Sequence, residues 1–190
     1  MRRVKVIVIV LAVFVFVLLL VDMSALPVIR IIPDKVLRKV AAPVKSFDAE
    51  LNAIVKQMRL AMYEAPGIGL AAPQIGVSQR IFVMDTTENE SGFTAFINPE
   101  ITQRFGKQQS EEGCLSIPGF RETIQRSKRV IVRAQNVEGE WFEADAEELD
   151  SFCIQHELDH LNGILFTDHL TRLKKPLFNS WLVEEGIAKP

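Results

Sequence analysis

The residues with the clearest chemical meaning lie at positions 156–160, which read His-Glu-Leu-Asp-His. On a helix, side chains four positions apart lie on one face, so both imidazoles can bind the same metal ion. Glu157 lies beside them and can exchange protons with a reactant at the metal. The same face carries Leu149, Phe152 and Cys153, which indicates that the histidines are buried. The segment therefore predicts a metal site on a helix.

A catalytic site of this type needs a third protein ligand and keeps one position open. Downstream, Asp168 and His169 are weak candidates because they follow Gly163, which ends the predicted helix. Upstream, the thiolate of Cys114 would be a strong soft ligand. Taken alone, however, a cysteine between a glycine and a leucine is more often a buried structural residue. Cys153 is the competing thiol, although its position on the apolar helix face favours a packing role.

A third segment, at positions 67–74, reads Gly-Ile-Gly-Leu-Ala-Ala-Pro-Gln. Its small residues allow the backbone to approach a ligand closely. The spacing differs from a dinucleotide-binding fingerprint and the segment does not clearly begin a helix, so it does not indicate a phosphate site. Alone, the segment is typical of a tight loop packed on the core.

The remaining patterns predict the elements that must position these segments. Asp48 can cap a helix whose apolar residues recur at three- and four-residue spacing from Leu51 to Met62, and positions 147–162 predict a second helix. A short helix is expected near Pro176. The predicted strands lie at 80–85, 93–98, 101–105, 130–135 and 141–146. Helix, strands and helix in this order indicate an α+β fold.

Composition excludes several classes of protein. The chain has 190 residues, which fits one ordinary domain. Its 22 basic and 24 acidic residues give a net charge of −2, which argues against general nucleic-acid binding. Its two cysteines are too few for a disulfide scaffold.

Together, three segments resemble the signature motifs of the peptide deformylase family. They lie at 67–74, at 112–116 (Glu-Gly-Cys-Leu-Ser) and at 155–160 (Gln-His-Glu-Leu-Asp-His), in the family's order. The resemblance implies an α+β fold in which antiparallel strands pack around a central metal-binding helix. It also implies a hydrolase that removes the formyl group from the N-terminal formyl-methionine of newly synthesised proteins.

The resemblance assigns roles to the residues in these motifs. Cys114, His156 and His160 would hold one metal ion per chain, typically Fe²⁺, with Zn²⁺ or Ni²⁺ able to occupy the site. Glu157 would take a proton from the attacking water and deliver it to the leaving amine. The negative charge that develops on the formyl oxygen would be stabilised by the side-chain amide of Gln74 and the backbone N–H of Leu115.

The resemblance also defines how substrate and partners would bind. Ile68, Leu149, Phe152 and Cys153 would line the pocket for the methionine side chain, and the backbone around Gly69 would pair with the peptide like an added strand. Asp159 would orient a ligating histidine, and Glu112 would pair with Arg126. The expected partners are formylated nascent peptides at the ribosome, without sequence-specific nucleic-acid binding.

Two other functions use part of the same pattern. A zincin-type protease shares the His-Glu-x-x-His motif but does not need Cys114 or Gln74. A non-enzymatic domain with a structural metal would close the site with a fourth ligand such as Cys153, and it would leave Glu157 without a role.

The N-terminal residues 1–22 differ from the rest of the chain. Residues 6–21 are uninterrupted apolar residues behind Arg2, Arg3 and Lys5, but as a helix they reach only about 24 Å across a bilayer core of about 30 Å. We interpret 1–22 as an apolar extension produced by a mis-set start before Met23, and 23–190 as the catalytic domain. A cytoplasmic enzyme follows from this, whereas a genuine signal anchor at 6–21 would place it at the membrane.

Overall fold

The computed structural model describes residues 27–188, so the extension predicted at 1–22 lies outside the described residues. The α-helices in this range are α1 (Ala49–Glu64), α2 (Glu148–Leu161) and α3 (Lys175–Glu184). The strands are β1 (Gly69–Ala71), β2 (Ile81–Met84), β3 (Thr94–Phe105), β4 (Gln108–Cys114), β5 (Ile117–Arg126), β6 (Arg129–Gln135) and β7 (Trp141–Glu147). Between residues 27 and 188, none of the helices combines the length and the apolar character that a membrane span requires.

Five strands form one antiparallel sheet in the order β1-β2-β3-β6-β7, and β4 and β5 form a separate antiparallel hairpin. Helix α2 contacts β1, β2, β6 and β7 of the large sheet. The predicted α+β fold, with antiparallel strands packed around the helix that carries the two histidines, is confirmed.

Helix α1 forms where its periodicity predicts it. The side chain of Asp48 accepts hydrogen bonds from the backbone N–H groups of Glu50 and Leu51, at 3.0 and 3.2 Å, which satisfies two donors at the helix start. The apolar stripe of the helix, which includes Met58 and Met62, is buried against the sheet.

The two long helices cover opposite faces of β2, because successive side chains of a strand point to opposite sides. Ile81 and Val83 belong to the core cluster under α1, whereas Phe82 and Met84 belong to the cluster under α2. This two-sided burial explains why β2 is a continuous apolar run.

The structure differs from the predicted elements at β3 and at the β4–β5 hairpin. The predicted strands 93–98 and 101–105 form the single strand β3, with a register irregularity between Ile97 and Glu100. The β4–β5 hairpin was not predicted, because β4 reads Gln-Gln-Ser-Glu-Glu-Gly-Cys and has no apolar alternation. A third core cluster, which includes Phe120 and Phe166, packs this hairpin against α3.

Candidate metal centre and active site

Three potential metal ligands meet between α2 and the hairpin. His156 and His160 lie one turn apart on α2, and Cys114 is the last residue of β4. Their ligand atoms all lie within 4.8 Å of one another, and the Sγ of Cys114 is 3.2 Å from the Nε2 of His160. A thiolate and two imidazoles this close together suit Fe²⁺, Zn²⁺ or Ni²⁺, so the residues fit the implied metal.

Glu112 orients one of the histidines. The Nδ1 of His156 is 2.9 Å from a carboxylate oxygen of Glu112, which leaves the Nε2 of His156 free to face a metal. Arg126 donates two hydrogen bonds to the same carboxylate, at 2.8 and 3.0 Å. Burial alone would raise the pKa of Glu112, but the hydrogen bonds from His156 and Arg126 lower it to about 2. Glu112 is therefore ionised at neutral pH, next to the candidate metal ligands.

Asp159 has a different place from the one predicted. Its carboxylate pairs with Arg126 at 2.5 Å and with the Nε2 of His169 at 2.7 Å. The carboxylate that contacts a candidate ligand, His156, is that of Glu112. Asp159 is therefore connected to His156 only indirectly, through Arg126 and Glu112, whereas the predicted pairing of Glu112 with Arg126 is confirmed.

The two cysteines have opposite surroundings. Burial would raise the pKa of Cys114, but the neighbouring His160 and His156 lower it well below its usual range. Burial raises the pKa of Cys153, and its Sγ donates a weak hydrogen bond to the carbonyl of Ile68 at 3.5 Å. The structure therefore groups Cys114, as a thiolate, with the histidines and keeps Cys153 as a neutral thiol.

Glu157 is a buried acid at the same site. Its side chain is 4% exposed, and its Oε2 has no hydrogen-bond partner among residues 27–188. Burial raises the pKa of Glu157 to about 7. A Cβ on Gly69 would lie 2.5 Å from the Oε1 of Glu157 and 2.7 Å from the Sγ of Cys153. Only glycine leaves room for this carboxyl group, which can gain or lose a proton near neutral pH.

Gln74 reaches the site from a 3₁₀ turn after β1. Its Oε1 accepts a hydrogen bond from the backbone N–H of Ala71 at 2.8 Å, which fixes the orientation of the amide. Its Nε2 donates to the Oγ of Ser116 at 3.1 Å and lies 3.8 Å from the Sγ of Cys114. Ser116 also directs its backbone N–H towards that sulfur, at 3.4 Å. The sequence analysis did not assign a role to Ser116, although it ends the second motif.

The site opens into a cavity of about 550 Å³. One side is the helix wall (residues 149–157 of α2), and the other is the hairpin wall (residues 110–121). The predicted site residues that line it are Ile68, Gly69, Gln74, Cys114, Leu115, Leu149, Phe152, Cys153, His156 and Glu157. His160 is buried behind them. The sequence analysis missed most of the hairpin wall, which includes Ser110, Phe120 and Arg121.

Comparisons of the sequence and of the structure with known proteins both find peptide deformylases. The family model described as polypeptide deformylase matches residues 27–176. The peptide deformylase of Acidobacterium capsulatum is 54% identical over 147 residues, which cover 76% of this chain and 86% of that protein. The crystal structure of a peptide deformylase from Legionella pneumophila is 41% identical with a TM-score of 0.80, and the match covers 87% of this chain and 100% of the other.

A third similar protein is a peptide deformylase from Acinetobacter baumannii, whose crystal structure contains bound Met-Ala-Ser. It is 30% identical with a TM-score of 0.73, and the match covers 78% of this chain and 100% of that chain.

The fold and the arrangement of thiolate, imidazoles and buried glutamate define a metal-dependent hydrolase. With the family match over most of its length, the chain belongs to the polypeptide deformylase family. It removes the formyl group from the N-terminal formyl-methionine of newly synthesised proteins. This assignment replaces the zincin-type protease and the structural metal domain as interpretations of the His-Glu-x-x-His motif.

Proposed function

We propose that Cys114, His156 and His160 hold a ferrous ion in this deformylase and that Glu157 transfers the protons of the reaction. The observation that carries the proposal is the convergence of these three donors within 4.8 Å of one another, beside a cavity that is lined by Cys114, His156 and Glu157. The Oε2 of Glu157 is buried there and has no hydrogen-bond partner among residues 27–188. When bound, a divalent ion at this site supplies Lewis acidity for the activation of water and for the polarisation of the formyl group. Zn²⁺ and Ni²⁺ suit the same donors, and the choice of iron follows the family resemblance.

Glu157 supports both halves of the hydrolysis. As a carboxylate it accepts a proton from the water that attacks the formyl carbon, and as the acid it delivers that proton to the amide nitrogen. The C–N bond then breaks, which leaves formate and a peptide with a free amino group. Burial raises the pKa of Glu157, which favours retention of the accepted proton until it is delivered to the amide nitrogen.

Gln74 and Leu115 stabilise the negative charge on the formyl oxygen. The Ala71 N–H holds the Oε1 of Gln74, so its Nε2 points towards Ser116 and Cys114 at the edge of the metal site. Leu115 follows Cys114 directly and lines the cavity, so its backbone N–H is the second proposed donor. Preorganised donors of this kind stabilise the transition state without further reorganisation.

The cavity binds the substrate peptide in an extended conformation. The methionine side chain lies against Ile68, Leu149, Phe152 and Cys153, which combine apolar surface with a neutral thiol. In the described part of the chain β1 pairs with β2 on one edge, so the edge at Gly69 is open for a peptide strand. The Acinetobacter baumannii deformylase with bound Met-Ala-Ser supports a peptide-binding groove.

We also propose that the enzyme acts in the cytoplasm on formylated nascent peptides at the ribosome. The working chain then starts at or near Met23, because formylated chains emerge on the cytoplasmic side of the membrane. N-terminal sequencing of the protein from its native cell, together with membrane fractionation, tests this. An intact Met1 or Arg2 terminus in the membrane fraction would instead support the anchor at 6–21.

A Glu157→Gln variant tests the proposed site. We expect formyl release from formyl-Met-Ala-Ser to fall by about 100-fold or more, the usual scale for loss of a general acid–base. Metal analysis after anaerobic purification should give the same iron content as the wild type, since Glu157 is not a ligand. Glu143→Gln, at an exposed position on β7, is the matched control. Loss of metal in parallel with activity would contradict the role given to Glu157.

A further inference from the structure

A cluster of aromatic rings connects the C-terminal helix to the cavity. Phe120 of β5 lines the cavity and is only 8% exposed. Phe178 and Trp181 of α3 contact it, with ring centroids 5.0 and 5.6 Å from that of Phe120. The two α3 rings also stack on each other at 5.7 Å with an interplanar angle of 13°. A residue of the hairpin wall is therefore held in place from behind by α3.

The cluster continues to the metal site on the other side of Phe120. The ring of Phe166 lies 6.1 Å from that of Phe120 and 6.0 Å from the imidazole of His156. Phe120 thus lies between α3 and the residues that support the catalytic centre, so a shift of α3 would displace a residue of the cavity wall.

The attachment of α3 is concentrated on β5. None of the residues of α3 is fully buried. The Nζ of Lys174, which precedes α3, donates to the carboxylate of Glu122 at 2.9 Å and to the carbonyl of Thr123 at 2.7 Å. The two core clusters of the large sheet contain no residue of α3. The contacts of α3 are therefore with the third core cluster, which contains Phe120 of the hairpin, and not with the two clusters of the large sheet.

We propose that α3 is a positioning element for substrate binding, in which Phe178 and Trp181 hold Phe120 in the wall that contacts the peptide beyond formyl-methionine. This inference rests on the proposed use of the cavity as the peptide groove. The proposed methionine pocket is formed by Ile68 and the helix wall, whereas Phe120 belongs to the opposite, hairpin wall. Together with Pro118, two residues earlier in β5, it offers apolar surface to the residues that follow the methionine.

The test compares two substrates and two kinds of α3 variant. Trp181→Ala and Phe178→Ala should raise KM for formyl-Met-Ala-Ser by roughly two- to ten-fold, the scale of a lost aromatic pair. KM for formyl-methionine amide, which lacks the following residues, should stay the same, as should kcat and metal content. Trp181→Phe should restore the wild-type KM because it keeps an aromatic ring against Phe120. Leu177→Ala is the matched control, since Leu177 lies on the same helix and is 56% exposed.

Several results would overturn the proposal. One is an unchanged KM for formyl-Met-Ala-Ser in both alanine variants. Another is an equal rise of this KM in Leu177→Ala. A third is an equal fall of kcat for both substrates together with a lower Tm, because that result indicates a merely structural role of α3. Leu149→Ala separates this inference from the proposed groove, because it should raise KM for both substrates. If Leu149→Ala leaves both KM values unchanged, the assignment of the groove itself fails.

Discussion

The two walls of the cavity each carry one buried carboxyl group and one cysteine, and their surroundings drive the pKa values apart. On the hairpin wall, the pKa of Glu112 is lowered to about 2 and that of Cys114 is also lowered. On the helix wall, burial raises the pKa of Glu157 to about 7 and raises that of Cys153. Groups of the same type therefore suit different tasks: the hairpin wall offers fixed negative charge near the proposed metal ligands, and the helix wall offers an exchangeable proton and a neutral thiol.

The two walls are also stabilised in different ways. Helix α2 is held by apolar packing on the large sheet, which includes Phe82, Ile154 and Leu161. The hairpin is held in part by the Glu112–Arg126 ion pair, whose side chains are 7% and 5% exposed. A buried ion pair is sensitive to the loss of either partner, because the remaining charge stays in a medium of low polarity.

The largest expected effect comes from Arg126→Leu. This change leaves the carboxylates of Glu112 and Asp159 without their shared cation, which should lower the free energy of unfolding by about 3–5 kcal/mol. We also expect weaker metal binding, because Glu112 orients His156. Chemical denaturation and metal analysis measure the two effects.

Arg129→Leu is the matched control for that change, because Arg129 pairs with Asp145 at 2.6 Å where both side chains are exposed. Exposed ion pairs contribute little to stability, so the control should retain its metal and nearly all of its stability. An equal loss of stability in both variants would show that the buried Glu112–Arg126 pair contributes no more than an exposed ion pair.

An intermediate effect should appear in the pH dependence of the metal-free protein. Below pH about 4.5 Glu157 is protonated whether the chain is folded or unfolded, so it adds no pH dependence. As the pH rises towards 7, the unfolded chain releases this proton and the folded chain retains it, so folding loses up to about 2–3 kcal/mol. Glu157→Gln removes this dependence. Chemical denaturation should therefore show that the variant is more stable relative to the wild type at pH 7.5 than at pH 4.5. The same difference in the free energy of unfolding at both pH values would refute the raised pKa of Glu157.

The smallest effect is expected from Cys153→Ser. The Sγ of Cys153 makes one weak hydrogen bond to the Ile68 carbonyl and lies in the proposed methionine pocket. We expect full metal content and a change in KM of about two- to three-fold, in line with about 0.5 kcal/mol of altered packing. Cys114→Ser should instead reduce the metal content. If Cys153→Ser loses the metal and Cys114→Ser retains it, the roles of the two thiols must be exchanged.

The sequence predicts the helix wall much better than the hairpin wall. The stripe of α1 and the apolar run of β2 are local periodic patterns, and they specify α1, α2 and β2 closely. The strand β4 is polar, and its burial depends on an arginine twelve or more residues away in the chain, so no local pattern reveals it. The continuity of β3 was missed because Asn98-Pro99 is a turn signal, yet here it lies within a bulged strand.

The candidate site also divides into residues that local sequence patterns reveal and residues that depend on contacts between distant segments. The three candidate metal ligands belong to motifs that can be recognised in the sequence, and so do Glu157 and Gln74. The contacts that support them join distant segments, and the placement of Asp159 was wrong because Glu112, 44 residues from His156 in the chain, contacts the histidine instead. Phe120 was missed for the same reason, since its partners lie in the 3₁₀ turn after α2 and in α3.

The proposed ligands are far apart in the chain, so a bound ion would affect the stability of the folded enzyme in the cell. Cys114 and His160 are 46 residues apart and lie on elements that meet only in the folded protein. An ion bound to both acts as a removable cross-link, and an ion at 100 times its Kd would add about 2.7 kcal/mol to stability. If the proposed site holds its ion in the cell, we expect the abundance of the enzyme to follow metal supply, because a chain without metal would unfold more often and be degraded sooner by proteases.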